Sequence, residues 1–209
     1  LSDLRRASVF HLMELCDDDP DHSLQVARLA LQLHDALGER LGLDDEDREL
    51  LEAAAMLCNV GLFVSHSGHH KHSYYVIRNS QHLMGFTDQE IELIAQVARY
   101  HRKSQPAEHK HPEFAALDER NRARVRAMAG LLRVAIGFDR NHDGAVDHVD
   151  VTTSDAGVEM DPVPDDQSSD LSLERYSADS RSGLLATCLG LPVGVSPVGS
   201  PDQAADPGP

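Results

Sequence analysis

Apolar residues recur along the first two thirds of the chain at the 3.6-residue spacing of an α-helix. Leu4, Val9, Leu12 and Leu15 predict a helix over residues 4–15, stopped by the acidic run 17–19 and Pro20. Leu24, Ala27, Leu31, Leu33 and Leu37 mark a long amphipathic helix over residues 21–41, ended by Gly42. Residues 44–60 open with carboxylates that suit a helix N-terminus, then run nearly apolar from Leu50 to Leu57, which predicts a helix buried on most sides. The pattern breaks from Gly61 to Gly68 and resumes from His69 to Asn79. Thr87 and Glu90 form a capping-box pair opening a helix through Ala98. Residues 103–112 read as a loop, and residues 121–136 as a helix with Val125, Met128, Leu131, Leu132 and Ala135 inward.

Beyond Asp139 the period shortens to two. Residues 146–153 and 157–160 predict strands about a turn at Ser154-Asp155-Ala156, residues 171–174 a third strand, and residues 178–189 a short helix. The Pro, Gly and Ser content from Pro192 onward predicts a disordered tail. The expected fold is mainly α: a helical domain over 1–142, a small α/β appendage over 143–191, and the tail 192–209. No internal repeat is visible.

Composition narrows the class. A chain of 209 residues, 41% hydrophobic, builds one core or one core with an appendage. No apolar run reaches the ~18 residues that cross a membrane, and no signal-peptide layout is present. Cys16, Cys58 and Cys188 lack CxxC spacing and read as reduced thiols of a cytoplasmic protein.

Net charge is −16, which by itself argues against an anionic ligand. From His66 to Arg140, however, 12 Lys and Arg stand against 8 Asp and Glu, together with eight of the 13 histidines. That window carries +4 and leaves −20 on the rest, an asymmetry that points to a charged ligand or to a solvated basic face.

A helix with an early His, followed by an apolar helix ending in a tight Gly turn, resembles the HD superfamily of metal-dependent phosphohydrolases. The resemblance implies metal ligands from one His, a His-Asp pair and a distant Asp. His22 stands at the first position, but Cys58, Asn59 and Ile136 stand at the others. Isoleucine cannot coordinate, and Asp139 lies three residues further on, so no hydrolytic metal centre is expected.

The segments His66-Ser67-Gly68-His69-His70-Lys71-His72-Ser73-Tyr74-Tyr75-Val76-Ile77-Arg78-Asn79-Ser80, Gly85-Phe86-Thr87 and Ala98-Arg99-Tyr100-His101-Arg102-Lys103 narrow the family. They closely resemble the C-terminal half of the exopolyphosphatase/guanosine pentaphosphate phosphohydrolase family. The likeness begins near Arg5, is strongest from His22 to His142 and extends more weakly through Leu173-Glu174-Arg175-Tyr176 to Leu191. It implies that hydrolysis belongs to an N-terminal actin-like region with a Gly-rich phosphate loop. It further implies that the HD-like part lengthens the polyphosphate path and supports dimerisation. This sequence contains neither that region nor that loop, and it begins at Leu1 without Met. It is expected to be the C-terminal domain alone, as a stand-alone protein or a piece of a longer one.

The expected function is therefore non-catalytic binding of polyphosphate or a guanosine polyphosphate. The expected partners are an actin-like catalytic domain and a second copy of the chain, without cofactor, metal, membrane or nucleic acid. The alternative is a portion of an active phosphoanhydride hydrolase. Candidate phosphate contacts are His66, His69, His70, Lys71, His72, Arg78, Arg99, His101, Arg102 and Lys103. Arg chelates two phosphate oxygens, and phosphate favours protonated His. His66 and His101 are equally well read as buried residues fastening two helices. Tyr74, Tyr75 and Tyr100 read as packing aromatics. The run from Asp139 to Asp150 has calcium-loop spacing, but its exit side reads as a strand where such a loop requires a helix.

Overall fold

Four helices begin where a short polar side chain accepts an otherwise orphaned amide, the commonest solution to an open helix N-terminus. The computed structural model describes residues 3–167 and 169–197. Among them α1 spans Asp3–Cys16, α2 Pro20–Leu37, α3 Asp45–Leu57, α4 His69–Arg78, α5 Asp88–Arg99, α6 Pro112–Ala115 and α7 Glu119–Phe138. Asp19 caps α2, Asp44 and Asp47 form a capping box at α3, Thr87 and Glu90 do so at α5, and Asp118 caps α7. A short 3-10 turn, Val60–Phe63, joins α3 to α4.

The helices enclose one core. α2, α3, α5 and α7 bury Leu29, Leu33, Leu50, Met56, Leu93, Met128 and Leu132 completely. The chain then adds strands β1 (Val146–Ser154) and β2 (Gly157–Pro164), helices α8 (Ser172–Ser180) and α9 (Gly183–Leu189), and strand β3 (Val193–Val195). β1 and β2 pair antiparallel, and β2 and β3 pair parallel. Gln32 on α2 accepts from the Val149 amide at 3.1 Å, tying the edge strand to the helical body. α8 and α9 lie directly on α7 because two glycines there present no side chain. A Cβ on Gly137 would sit 2.5 Å from Ala178 Cα, and one on Gly130 would sit 3.1 Å from Leu185 Cα.

The mainly helical fold with a small C-terminal sheet agrees with the sequence expectation, and three details do not. The strand expected at residues 171–174 is instead the start of α8, whose buried Glu174, Ser177 and Ala178 follow helical spacing. The helix expected over 178–189 divides at Arg181 and Ser182 into α8 and α9. The tail expected from Pro192 contributes β3, because Val193–Val195 pair with Val158–Met160. Residues 198–209 of that expected tail lie outside the described residues. Among the described residues no helix is long and apolar enough to cross a membrane.

Candidate functional site: a basic cavity

The cavity begins with a close approach that only glycine permits. A Cβ on Gly61 would fall 2.1 Å from the His69 carbonyl oxygen, so the turn after α3 can press against α4 only without a side chain. Ser73 locks the contact: its Oγ accepts from the Gly61 amide at 2.9 Å and donates to the Cys58 carbonyl at 2.7 Å. The N-terminal end of α4 is thereby held beside the end of α3, and His69 is turned inward.

His69 meets His101, just past α5, with their Nε2 atoms 3.2 Å apart. Arg102 Nη1 lies 3.1 Å from His69 Nδ1. A guanidinium only donates, so His69 Nδ1 accepts from Arg102 in preference to donating to the more distant His66 carbonyl at 3.4 Å, and its proton sits on Nε2. His101 Nε2 then accepts that proton's hydrogen bond, and its own Nδ1–H donates to the Ala98 carbonyl at 2.6 Å. Both rings are consequently held neutral. Burial pushes the pKa of His101 down to about 3, and burial followed by the Arg102 charge lowers that of His69.

These residues form one wall of a cavity of about 530 Å³, within the size range of small-molecule sites. Arg102, Lys103, Arg133, Arg140 and Arg181 line it, with His22, His69, His101, His142 and Asn59, and among the described residues no carboxylate lines it. None of the five cations forms an ion pair with Asp or Glu among the described residues. Burial, reinforced by Arg181, brings Arg133 down to about 10, and burial with Arg140 and Arg102 lowers Arg181. The cluster holds unneutralised positive charge in a concave, partly dry space, which suits an anion with several oxygens.

The ten sequence candidates divide. His69, His101, Arg102 and Lys103 converge on the cavity. His66, His70, Lys71, His72, Arg78 and Arg99 do not line it. His66 and Lys71 are exposed. His70 is pushed down to about 4 by burial and then by Arg102, and its Nδ1 has no hydrogen-bond partner. Arg78 is spent on Asp88 and Glu92, and Arg99 on Glu113 and the Tyr74 and Tyr100 rings. His101 is buried and hydrogen-bonded between α4 and α5, whereas His66 is not. Arg133, Arg140, Arg181 and His142 enter the cavity although they were not candidates. Their only sequence signal was that Arg133 and Arg140 fall within the basic window.

At three of the four positions matched to HD metal ligands the side chain is buried, lacks a donor or is already engaged. Cys58 is fully buried, its thiol donates to Ala55 O, and burial raises its pKa well above the ordinary range. Ile136 offers no donor. His22 Nδ1 is occupied by Asp139 Oδ2 at 2.6 Å, and the other Asp139 oxygen accepts from the Gly144 amide at 2.9 Å. Among the described residues no three His, Cys, Asp or Glu side chains gather to hold a metal ion. Asp139–Asp150 leads from α7 into β1, so the helix that a calcium loop requires on its exit side is a strand.

Comparison with known proteins places the chain in a family. The sequence model of Ppx/GppA phosphatase, domain III, matches residues 4–176. A guanosine-5'-triphosphate,3'-diphosphate pyrophosphatase of Pseudoalteromonas translucida (strain TAC 125) is 30% identical over 102 residues, 48% of this chain and 20% of that protein. One of Pseudoalteromonas atlantica (strain T6c / ATCC BAA-1087) is 28% identical over 135 residues, 64% of this chain and 26% of that protein. The chain thus spans about a quarter or less of these relatives. With the family match covering residues 4–176, which include every lining residue of the cavity but Ser180 and Arg181, this chain belongs to the Ppx/GppA phosphatase domain III family.

Proposed function

We propose that this chain is a non-catalytic, HD-like accessory domain that binds polyphosphate or a guanosine polyphosphate in the basic cavity. The observation that carries the reading is the convergence of five cations on one concavity with no lining carboxylate. A phosphate chain supplies closely spaced oxygens that Arg takes in bidentate fashion and Lys as a point charge. Hydrolysis is assigned elsewhere because the HD ligand positions carry a buried thiol, an amide and an isoleucine. The domain is further proposed to act in the cytoplasm, as a dimer and against an actin-like catalytic partner.

Incubating the chain with long-chain inorganic polyphosphate tests this. The expected result is salt-sensitive binding with no release of orthophosphate, with or without divalent cations. Phosphate release, or binding indifferent to salt, contradicts the proposal.

A second reading, a portion of an active phosphoanhydride hydrolase, is favoured by the pyrophosphatase activity for which the relatives are named and by the small share of their length that this chain covers. Under it, adding a separately expressed actin-like region restores pyrophosphatase or exopolyphosphatase activity, and the cavity residues alter the KM of that mixture.

A further inference from the structure

Arg133 differs from the other cavity cations in what its donors do. Its Nε donates to the Tyr100 carbonyl at 2.7 Å, and its Nη2 donates to the Lys103 and Ser104 carbonyls at 3.0 Å each and to the Arg102 carbonyl at 3.4 Å. Four carbonyls of one five-residue turn are gathered around a single planar cation. Two physical needs meet here. The turn follows directly on the C-terminal end of α5 at Arg99, where a cation suits the negative end of the helix dipole and the loop carbonyls have no helical partner. Lys103 holds φ at +62°, the left-handed region that strains an L side chain. Such a conformation persists only where its surroundings enforce it. Arg133 grips the carbonyl of Lys103 itself and those on either side.

The consequence reaches the cavity. Residues 100–104 carry His101, Arg102 and Lys103, three of its lining side chains, and Arg102 sets the His69 tautomer. We propose that Arg133 is the positioning residue that shapes the anion-binding turn, with its fork spent on backbone carbonyls and its charge left facing the ligand. The proposal rests on the reading of the cavity as a phosphate site. It separates two roles for a cation there: Arg133 builds the turn, and Lys103 meets the anion.

Arg133→Lys keeps the charge and removes the fork. Lys103→Gly removes a charge and keeps the turn, since glycine accepts this φ. Long-chain inorganic polyphosphate is titrated into both over a salt series, and amide hydrogen exchange is followed in the absence of ligand. For Arg133→Lys, exchange is expected to quicken at residues 100–105 alone. Its affinity is expected to fall about tenfold, the worth of one hydrogen bond to a charged group, at an unchanged salt slope. For Lys103→Gly, the slope is expected to fall by about one with protection intact. Unchanged protection at 100–105 in Arg133→Lys, faster exchange throughout the fold, or wild-type affinity overturns the proposal. If the wild-type chain binds no polyphosphate, the phosphate reading fails, and the exchange data still decide whether Arg133 holds the turn.

Discussion

His22 and Asp139, 117 residues apart in sequence, meet in the interior with Nδ1 and Oδ2 2.6 Å apart and both side chains almost fully buried. The pair ties the start of α2 to the end of α7, and Asp139 also holds the Gly144 amide that leads into β1. Asp139→Ala strands a buried imidazole nitrogen and a backbone amide together. Thermal or denaturant unfolding is expected to show a loss of roughly 3 kcal/mol, as for a broken buried pair. An unchanged midpoint contradicts this role.

The fold is expected to be acid-labile through its buried and half-buried histidines. His34, His69, His70 and His101 all have pKa values lowered chiefly by burial, with His70 at about 4 and His101 at about 3. In the unfolded chain histidine titrates near 6.5, so below that pH the unfolded state takes up protons that the folded state refuses. The stability these residues contribute is complete above about pH 6.5 and is lost as pH falls toward the folded values. Melting temperature is expected to hold from pH 7.5 to about 6.5 and to fall from there to pH 4.5, and a flat profile down to pH 5 refutes the neutral assignment.

Gly137→Ala places a methyl 2.5 Å from Ala178 Cα, where the obstacle is helix backbone and cannot swing away. Alanine gains up to about 1 kcal/mol in helix propensity, yet overpacking costs about 1–3 kcal/mol, and here the clash wins. A lower denaturant midpoint for Gly137→Ala is expected, while Gly144→Ala meets no atom and loses only through its φ of +66°.

Ser73→Ala removes the hydroxyl that joins Gly61 to Cys58 and leaves an amide and a carbonyl unsatisfied in the core. A cost of about 2 kcal/mol is expected. Because His69 rides on the same helix, weaker polyphosphate binding should accompany it. Full stability in the variant contradicts the account of how α4 is set.

Much of the fold was legible because its signals are local. The Thr87–Glu90 capping box and the apolar run Leu50–Leu57 each report on the few residues around them, and both appear where expected. Residues 171–174 misled because Leu171 and Leu173 alternate with polar neighbours, while α8 has no capping side chain to announce it. The site was half legible. His69, His101, Arg102 and Lys103 sit in one distinctive stretch of sequence. Arg181 arrives from beyond the sheet, brought in by the glycine crossing of α7 and α8, which no spacing rule anticipates. The sequence also cannot tell a free cation from a spent one: Arg78 and Arg99 look like Arg102 until their carboxylate partners are seen.

That distinction gives the most direct measurement. Long-chain inorganic polyphosphate is titrated by calorimetry, across a salt series, into the wild type, into Arg102→Ala/Arg140→Ala/Arg181→Ala, and into Lys71→Ala/Arg78→Ala/Arg99→Ala. The first triple variant is expected to lose most of its affinity and about three in salt slope, while the second is expected to bind nearly as the wild type does. Retained binding in the cavity variant with loss in the outer-face variant would contradict that expectation.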